Sequence, residues 1–80
     1  MLQLNKTLFS TIYEEIHNIE NDISFYKAMI SHTQKEIIFV HENMPEISSI
    51  HLYLRKQKFQ EYLEEALNTV SKLRKKILTC

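Results

Sequence analysis

Histidine is the residue type in this sequence best suited to chemistry, either as a metal ligand or as a group that exchanges protons near neutral pH. There are four histidines, at His17, His32, His41 and His51. No two are spaced as His-x-x-x-His, and Glu-x-x-His occurs once, at Glu14 and His17, without the second set on the other helix that would complete a metal site. We therefore expect surface or interface histidines, with no metal site and no cofactor.

Two basic clusters suggest a second chemistry, the binding of phosphate groups. They span residues 55–58 and 72–76, but Glu61, Glu64 and Glu65 lie between them and the net charge of the chain is zero. The sequence also lacks the short recognition helix of a helix-turn-helix. Contact with nucleic acid, in a regulator that dimerises into a four-helix bundle, is therefore retained only as an alternative.

Catalysis is not indicated by any group of residues. A nucleophile must be held beside a base in a cleft that excludes water, and a rod of two helices offers no such cleft. We expect a non-enzymatic protein with no small-molecule substrate.

The amino-acid composition limits the types of secondary structure that can position these side chains. The chain has 80 residues, no glycine and one proline, Pro45, so few tight turns are available and all-β folds are disfavoured. Cys80 is the only cysteine, and no apolar run approaches the ~18 residues of a membrane span. These features predict one helical domain over residues 1–80, a cytoplasmic location and no membrane insertion.

Apolar periodicity predicts two long helices. From Phe9 to Met44, apolar residues recur at alternating spacings of three and four, as in a coiled-coil seam, with Thr33 the one polar exception. A similar pattern runs from Leu52 to Cys80, with Lys56 as its polar exception. Pro45 disfavours helix just before it, which predicts helix 1 over about 6–43, a turn at about 43–47 and helix 2 over about 47–78. Whether helix 1 is continuous from residue 31 to residue 34 is left open.

Folding back at the turn predicts an antiparallel two-helix hairpin in which residue i lies near residue 90 − i. Under this rule Thr33 lies opposite Lys56 and Glu36 opposite Arg55, so both polar interruptions and opposite charges meet. The predicted hairpin seam consists of Ile12, Ile19, Ile23, Ile30, Phe59, Leu63 and Val70.

The apolar stripes are wider than one seam, which implies a second packing surface. The predicted partner-binding residues are Phe25, Met29, Ile38, Phe39, Leu54, Tyr62 and Leu67. Leaving such side chains exposed forfeits about 1.5–3 kcal/mol each, so we expect a partner to cover them. The partner is either a second copy, which would complete a four-helix bundle, or a different protein.

Residues 52–54, Leu-Tyr-Leu, and residues 64–70, Glu-Glu-Ala-Leu-Asn-Thr-Val, resemble the second helix of the small helical-hairpin co-chaperones of type III secretion needle subunits. Members of that family share a tyrosine after the interhelical turn and a small-residue apolar stripe within helix 2. The resemblance implies pairing with a larger helical-repeat chaperone and a role in keeping an aggregation-prone subunit soluble. The sequence therefore predicts a small chaperone or adaptor that works by helix packing.

Overall fold

The computed structural model describes residues 2–79, and the side chains of residues 10–78. It contains two helices, α1 (Leu2–Asn43) and α2 (Ile50–Thr79), and no strand among the described residues. The side chain of Phe9, at the start of the predicted seam, and Cys80 at its end lie outside what the structure describes. The protein is thus all-helical, as the periodicity predicts.

The first helix is continuous through residues 31–34. Its 42 residues contain no glycine or proline, and at ~1.5 Å per residue they account for the 65 Å length of the molecule. It ends where Asn43 Nδ2 donates a hydrogen bond to the Phe39 carbonyl at 2.9 Å and Met44 N donates to the Val40 carbonyl at 2.8 Å. Pro45 then keeps Met44 out of the helix.

The second helix begins at Ile50, three residues later than the predicted start near residue 47. Pro45 does not open α2. Instead, Ile47 N donates to the Met44 carbonyl at 3.0 Å, which closes a separate turn. The Ser49 carbonyl then accepts the first bonds of α2, from Leu52 N at 3.0 Å and Tyr53 N at 3.2 Å.

The two helices pack side by side along an apolar seam. All seven residues of the predicted hairpin seam are buried or half-buried, with Ile12, Ile23 and Val70 among the most buried. The buried apolar side chains in the described part are Ile12, Ile16, Ile23, Ile37, Leu52, Val70 and Leu73. At about 1.5–3 kcal/mol per large side chain, their burial is the main force that holds the hairpin together.

Polar contacts across the seam fix its register close to the 90 − i rule. Arg55 Nη1 lies 3.3 Å from Glu36 Oε1, which confirms that predicted pair. Lys56 Nζ donates to Gln34 Oε1 at 2.6 Å, and not to the Thr33 hydroxyl. The Thr33 side chain is 0% exposed and its hydroxyl has no hydrogen-bond partner. The expected polar layer therefore exists, but Gln34 supplies its acceptor.

Candidate protein-interaction surface

The hairpin presents two broad faces, one on each side of the seam. The first, called the aromatic face, carries Phe25, Met29 and Phe39 of α1 and Tyr62 of α2. Two contacts show that these flanks lie on the same side: the Tyr26 and Tyr62 rings are 5.7 Å apart, and Glu36 pairs with Arg55. Four of the seven predicted partner-binding residues therefore come together on one surface.

The other three predicted partner-binding residues lie elsewhere. Ile38 and Leu67 lie on the opposite face, called the mixed face, while Leu54 points outward from the side of α2 away from α1. The prediction from sequence groups all seven off-seam apolar residues into one surface. Because these residues occupy different positions around their helices, the folded hairpin places them on different sides.

The centre of the aromatic face is a cluster of four rings. Phe25, Tyr26, Phe59 and Tyr62 make ring contacts with centroid distances between 5.7 and 6.3 Å. Several of these contacts are edge-to-face, the geometry in which the positive edge of one ring meets the negative face of another. The cluster joins α1 to α2 on the same side that it presents to solvent.

Burial within the cluster is graded from inside to outside. Tyr26 and Phe59 are half-buried in the seam, whereas Phe25 and Tyr62 remain 55% and 41% exposed. The Lys58 ammonium group lies 6.0 Å from the centre of the Tyr62 ring, at the limit of a cation–π contact. The inner pair thus supports two outer rings that still offer large apolar surfaces.

Two shallow grooves flank this cluster along the aromatic face. One has a volume of about 230 Å³ and lies between Tyr26 and Tyr62, with Asp22 and Glu65 at its rim. The other, of about 490 Å³, lies beside Phe39. Both are open to solvent, so they suit side chains of a partner rather than an enclosed small molecule.

A polar pair interrupts the apolar surface between Met29 and Phe39. His32 Nε2 lies 3.0 Å from Glu36 Oε1, one helical turn along α1, and Glu36 also contacts Arg55. The apolar part of the aromatic face is therefore continuous from Phe25 to Met29 and resumes at Phe39.

Charges on the aromatic face are segregated by helix. Among the described side chains of α1 on this face, the formally charged ones are all acidic: Glu15, Asp22 and Glu36. Those of α2 are mainly basic, with one acid among them: Arg55, Lys58, Glu65, Lys72 and Lys76. The apolar centre is thus bordered by an acidic edge and a basic edge.

Of the four histidines, His41 has the best-defined surroundings. Its Nε2 lies 3.0 Å from the Tyr53 hydroxyl and 3.5 Å from Ser49 Oγ, so it ties the end of α1 to the start of α2. Within residues 2–79 no group of three or more histidine, cysteine or acidic side chains is placed to hold a metal ion. The contacts of His41 are those of a structural residue at the turn.

Tyr26 belongs to the apolar pattern from Phe9 to Met44, but that pattern does not indicate that it supports the exposed rings. The contact between Tyr26 and Tyr62 is nevertheless predictable, because their residue numbers sum to 88 and the 90 − i rule pairs residues whose numbers sum to about 90. The contact of Lys58 with Tyr62 was also missed. A spacing of four residues along α2 places those two side chains on the same helical side.

Neither helix, over the part of the chain that is described, contains a stretch long and apolar enough to cross a membrane. Compared with known proteins, the chain matches no family model, no curated protein and no solved structure.

Proposed function

We propose that this protein is a non-enzymatic interaction module, a small chaperone or adaptor that binds another polypeptide through its aromatic face. The observation that carries the proposal is the pair of exposed rings, Phe25 and Tyr62, held from beneath by Tyr26 and Phe59. Contiguous exposed apolar surface of this kind marks interaction sites in soluble proteins.

The energetics of the four-ring cluster suit a binding surface. Aromatic side chains bury large areas and lose little rotamer freedom when a partner covers them. The ring contacts with Tyr26 and Phe59 already restrict Phe25 and Tyr62, which lowers the entropy cost of binding further. A partner helix laid along the face would place apolar side chains against these rings and into the flanking grooves.

The similarity of residues 52–70 to the second helix of type III secretion co-chaperones supports a narrower form of the proposal. In that form the hairpin pairs with a helical-repeat chaperone in the cytoplasm and helps keep an aggregation-prone subunit soluble. Tyr53, the tyrosine after the turn, hydrogen-bonds His41. Because this hydrogen bond joins α1 to α2, we assign Tyr53 to positioning α2 and not to contacting the partner.

Substitution of Phe25 by Asp tests the proposal. We expect Phe25→Asp to keep its helical circular dichroism, because its side chain is 55% exposed, but to lose association measured by sedimentation and by pull-down from the native cell. A charge at the centre of an apolar interface leaves an unpaired buried group, and hot-spot losses of this kind are about 2 kcal/mol or more. Association would fall by about thirtyfold or more.

Two further variants control this experiment. Tyr13→Asp is matched to Phe25→Asp, since Tyr13 is also an exposed aromatic residue of α1, at 58%, but lies on the mixed face. It should associate as wild type does. Ile23→Asp places the charge in the seam, where Ile23 is 9% exposed, and should abolish the helical signal. Equal association by Phe25→Asp and wild type would refute the proposed face.

A further inference from the structure

Acidic and basic side chains are distributed differently on the mixed face and on the aromatic face. On the mixed face each helix carries one acid and one base among the described side chains, Glu20 with Lys27 on α1 and Glu64 with Arg74 on α2. Glu20 pairs with Arg74 within the chain at 3.7 Å, as Glu36 pairs with Arg55 at 3.3 Å on the aromatic face. The segregation of acids to α1 and bases to α2 is found on the aromatic face and not on the mixed face, and it favours a partner with the reverse arrangement.

We propose that the occupant of the aromatic face is a second copy of this chain, related by a two-fold axis parallel to the helices. This inference rests on the proposed function, because it assumes that the aromatic face binds protein. A rotation about that axis places α1 of one copy over α2 of the other. The acidic edge of each copy then meets the mainly basic edge of its partner, in which Glu65 is the one acid among the described side chains.

The other two-fold arrangement that brings these faces together has its axis across the helices. It stacks α1 on α1 and α2 on α2, which sets Asp22 and Glu36 against the same acidic edge and Lys58 and Lys72 against the same basic edge. Like charges facing each other across an interface are unfavourable. The charges therefore select the parallel arrangement and disfavour the antiparallel one.

The internal register of the hairpin fixes the register between the copies. An axis parallel to the helices leaves every residue at its own level, so residue i lies over residue 90 − i of the partner. Met29 then lies over the partner's Tyr62, and Phe25 lies one helical turn away, over the partner's Glu65. Glu36 lies within reach of the partner's Arg55 and the partner's Lys58, so apolar side chains meet near the centre and opposite charges meet at that end.

The size of the face is sufficient for a stable dimer. The molecule measures 65 × 15 × 14 Å, so one long side presents about 1,000 Å² in projection. Specific interfaces bury about 800 Å² per partner. A complete face-to-face contact would produce a four-helix bundle in which every neighbouring pair of helices is antiparallel.

A spin-label distance between the two turns tests the arrangement. Glu46 is exposed in the turn, so Glu46→Cys combined with Cys80→Ser gives one labelling site per chain. In the parallel arrangement both turns lie at the same end of the bundle, and helix spacings of about 8–10 Å put the labels within about 30 Å. The antiparallel arrangement would separate them by nearly the 65 Å length of the hairpin and would overturn the proposal.

Charge reversal with mixing tests the pairing of edges. Asp22→Lys and Lys72→Glu should each weaken dimerisation by about tenfold, because a two-fold axis applies each change twice. An equimolar mixture of the two variants should recover wild-type affinity as a heterodimer, since each acid then faces a base again. Lys27→Glu, on the mixed face, is the matched control and should leave affinity unchanged. Failure of the mixture to recover would refute the paired edges.

The two proposals fail in different ways. A wild-type chain that stays monomeric at about 100 µM, well above the micromolar range of weak specific complexes, overturns the second-copy proposal. If that monomer still captures another protein, and Phe25→Asp does not, the proposed function stands with a different partner. If Phe25→Asp changes neither self-association nor capture, the proposed function falls, and the second-copy proposal falls with it.

Discussion

Thr33 carries a hydroxyl into the most enclosed part of the helix interface, where it finds no hydrogen-bond partner. A buried donor or acceptor left unpaired costs about 1–3 kcal/mol, because its bonds to water are lost without replacement. The neighbouring Lys56 Nζ, by contrast, donates to Gln34 Oε1 at 2.6 Å. Thr33 is therefore a point at which the hairpin gives up stability.

Replacement of Thr33 by Val should recover that stability. The two side chains have nearly the same shape, so Thr33→Val removes the unpaired hydroxyl without opening a cavity. We expect the free energy of unfolding to rise by about 1 kcal/mol, and the Tm by about 4–8 °C. Thermal circular dichroism measures the change.

Thr69→Val is the matched control for this substitution. Thr69 is exposed, and its hydroxyl donates to the Glu65 carbonyl at 2.9 Å. Its replacement should alter stability by no more than about 0.5 kcal/mol. A clear loss of stability in Thr33→Val, with Thr69→Val unchanged, would mean that the Thr33 hydroxyl makes a bond in solution.

At the scale of the elements, the continuity of α1 is the feature most open to test. Ser31→Pro would remove a backbone donor and clash with the carbonyl four residues earlier, in a helix that runs unbroken from Leu2 to Asn43. The cost is about 3 kcal/mol or more, a large share of the stability of a small domain. We expect loss of most of the cooperative transition in urea.

Ser31→Ala separates the backbone effect from loss of the serine side chain. Ser31 is exposed and alanine favours helix, so this variant should be as stable as wild type or slightly more stable. A Ser31→Pro variant that unfolds with the wild-type midpoint would contradict a continuous helix at this position.

The helices and their pairing were predictable from sequence because both depend on the spacing of apolar residues. Ile12, Ile23 and Val70 were assigned to the seam by period alone, and each is buried. The predicted start of α2 is three residues too early because it follows from Pro45, which strongly favours a break in the helix. The helix in fact starts after Ser49, whose carbonyl accepts its first hydrogen bonds and whose residue type indicates a helix start less strongly.

At the scale of the whole molecule, the interaction surface was only partly predictable. The sequence shows that Phe25, Ile38 and Leu54 lie off the seam, but their side of the hairpin depends on how the flanks of α1 meet those of α2. Contacts such as Glu36 with Arg55 settle that pairing. The segregation of charge by face emerges only after each residue is assigned to a side.

Thermal stability should depend on protein concentration if a second copy completes the core. A partner that binds only the folded chain stabilises it by mass action, with about 2.7 kcal/mol gained when its concentration is a hundred times the dissociation constant. We expect the Tm of wild type to rise by several degrees between about 10 µM and 1 mM. The Tm of Phe25→Asp should stay constant. A wild-type Tm that is equally constant would argue against dimerisation.

The turn between Asn43 and Ile50 also determines the order in which the molecule assembles. His41 and Ser49 are only eight residues apart, and Glu36 and Arg55 nineteen, whereas Glu20 and Arg74 lie across a far longer loop. The entropy lost on loop closure grows with loop length, and each contact made near the turn shortens the loop that the next must close. We expect folding to proceed as a zipper from the turn, with the ends of the chain joining last.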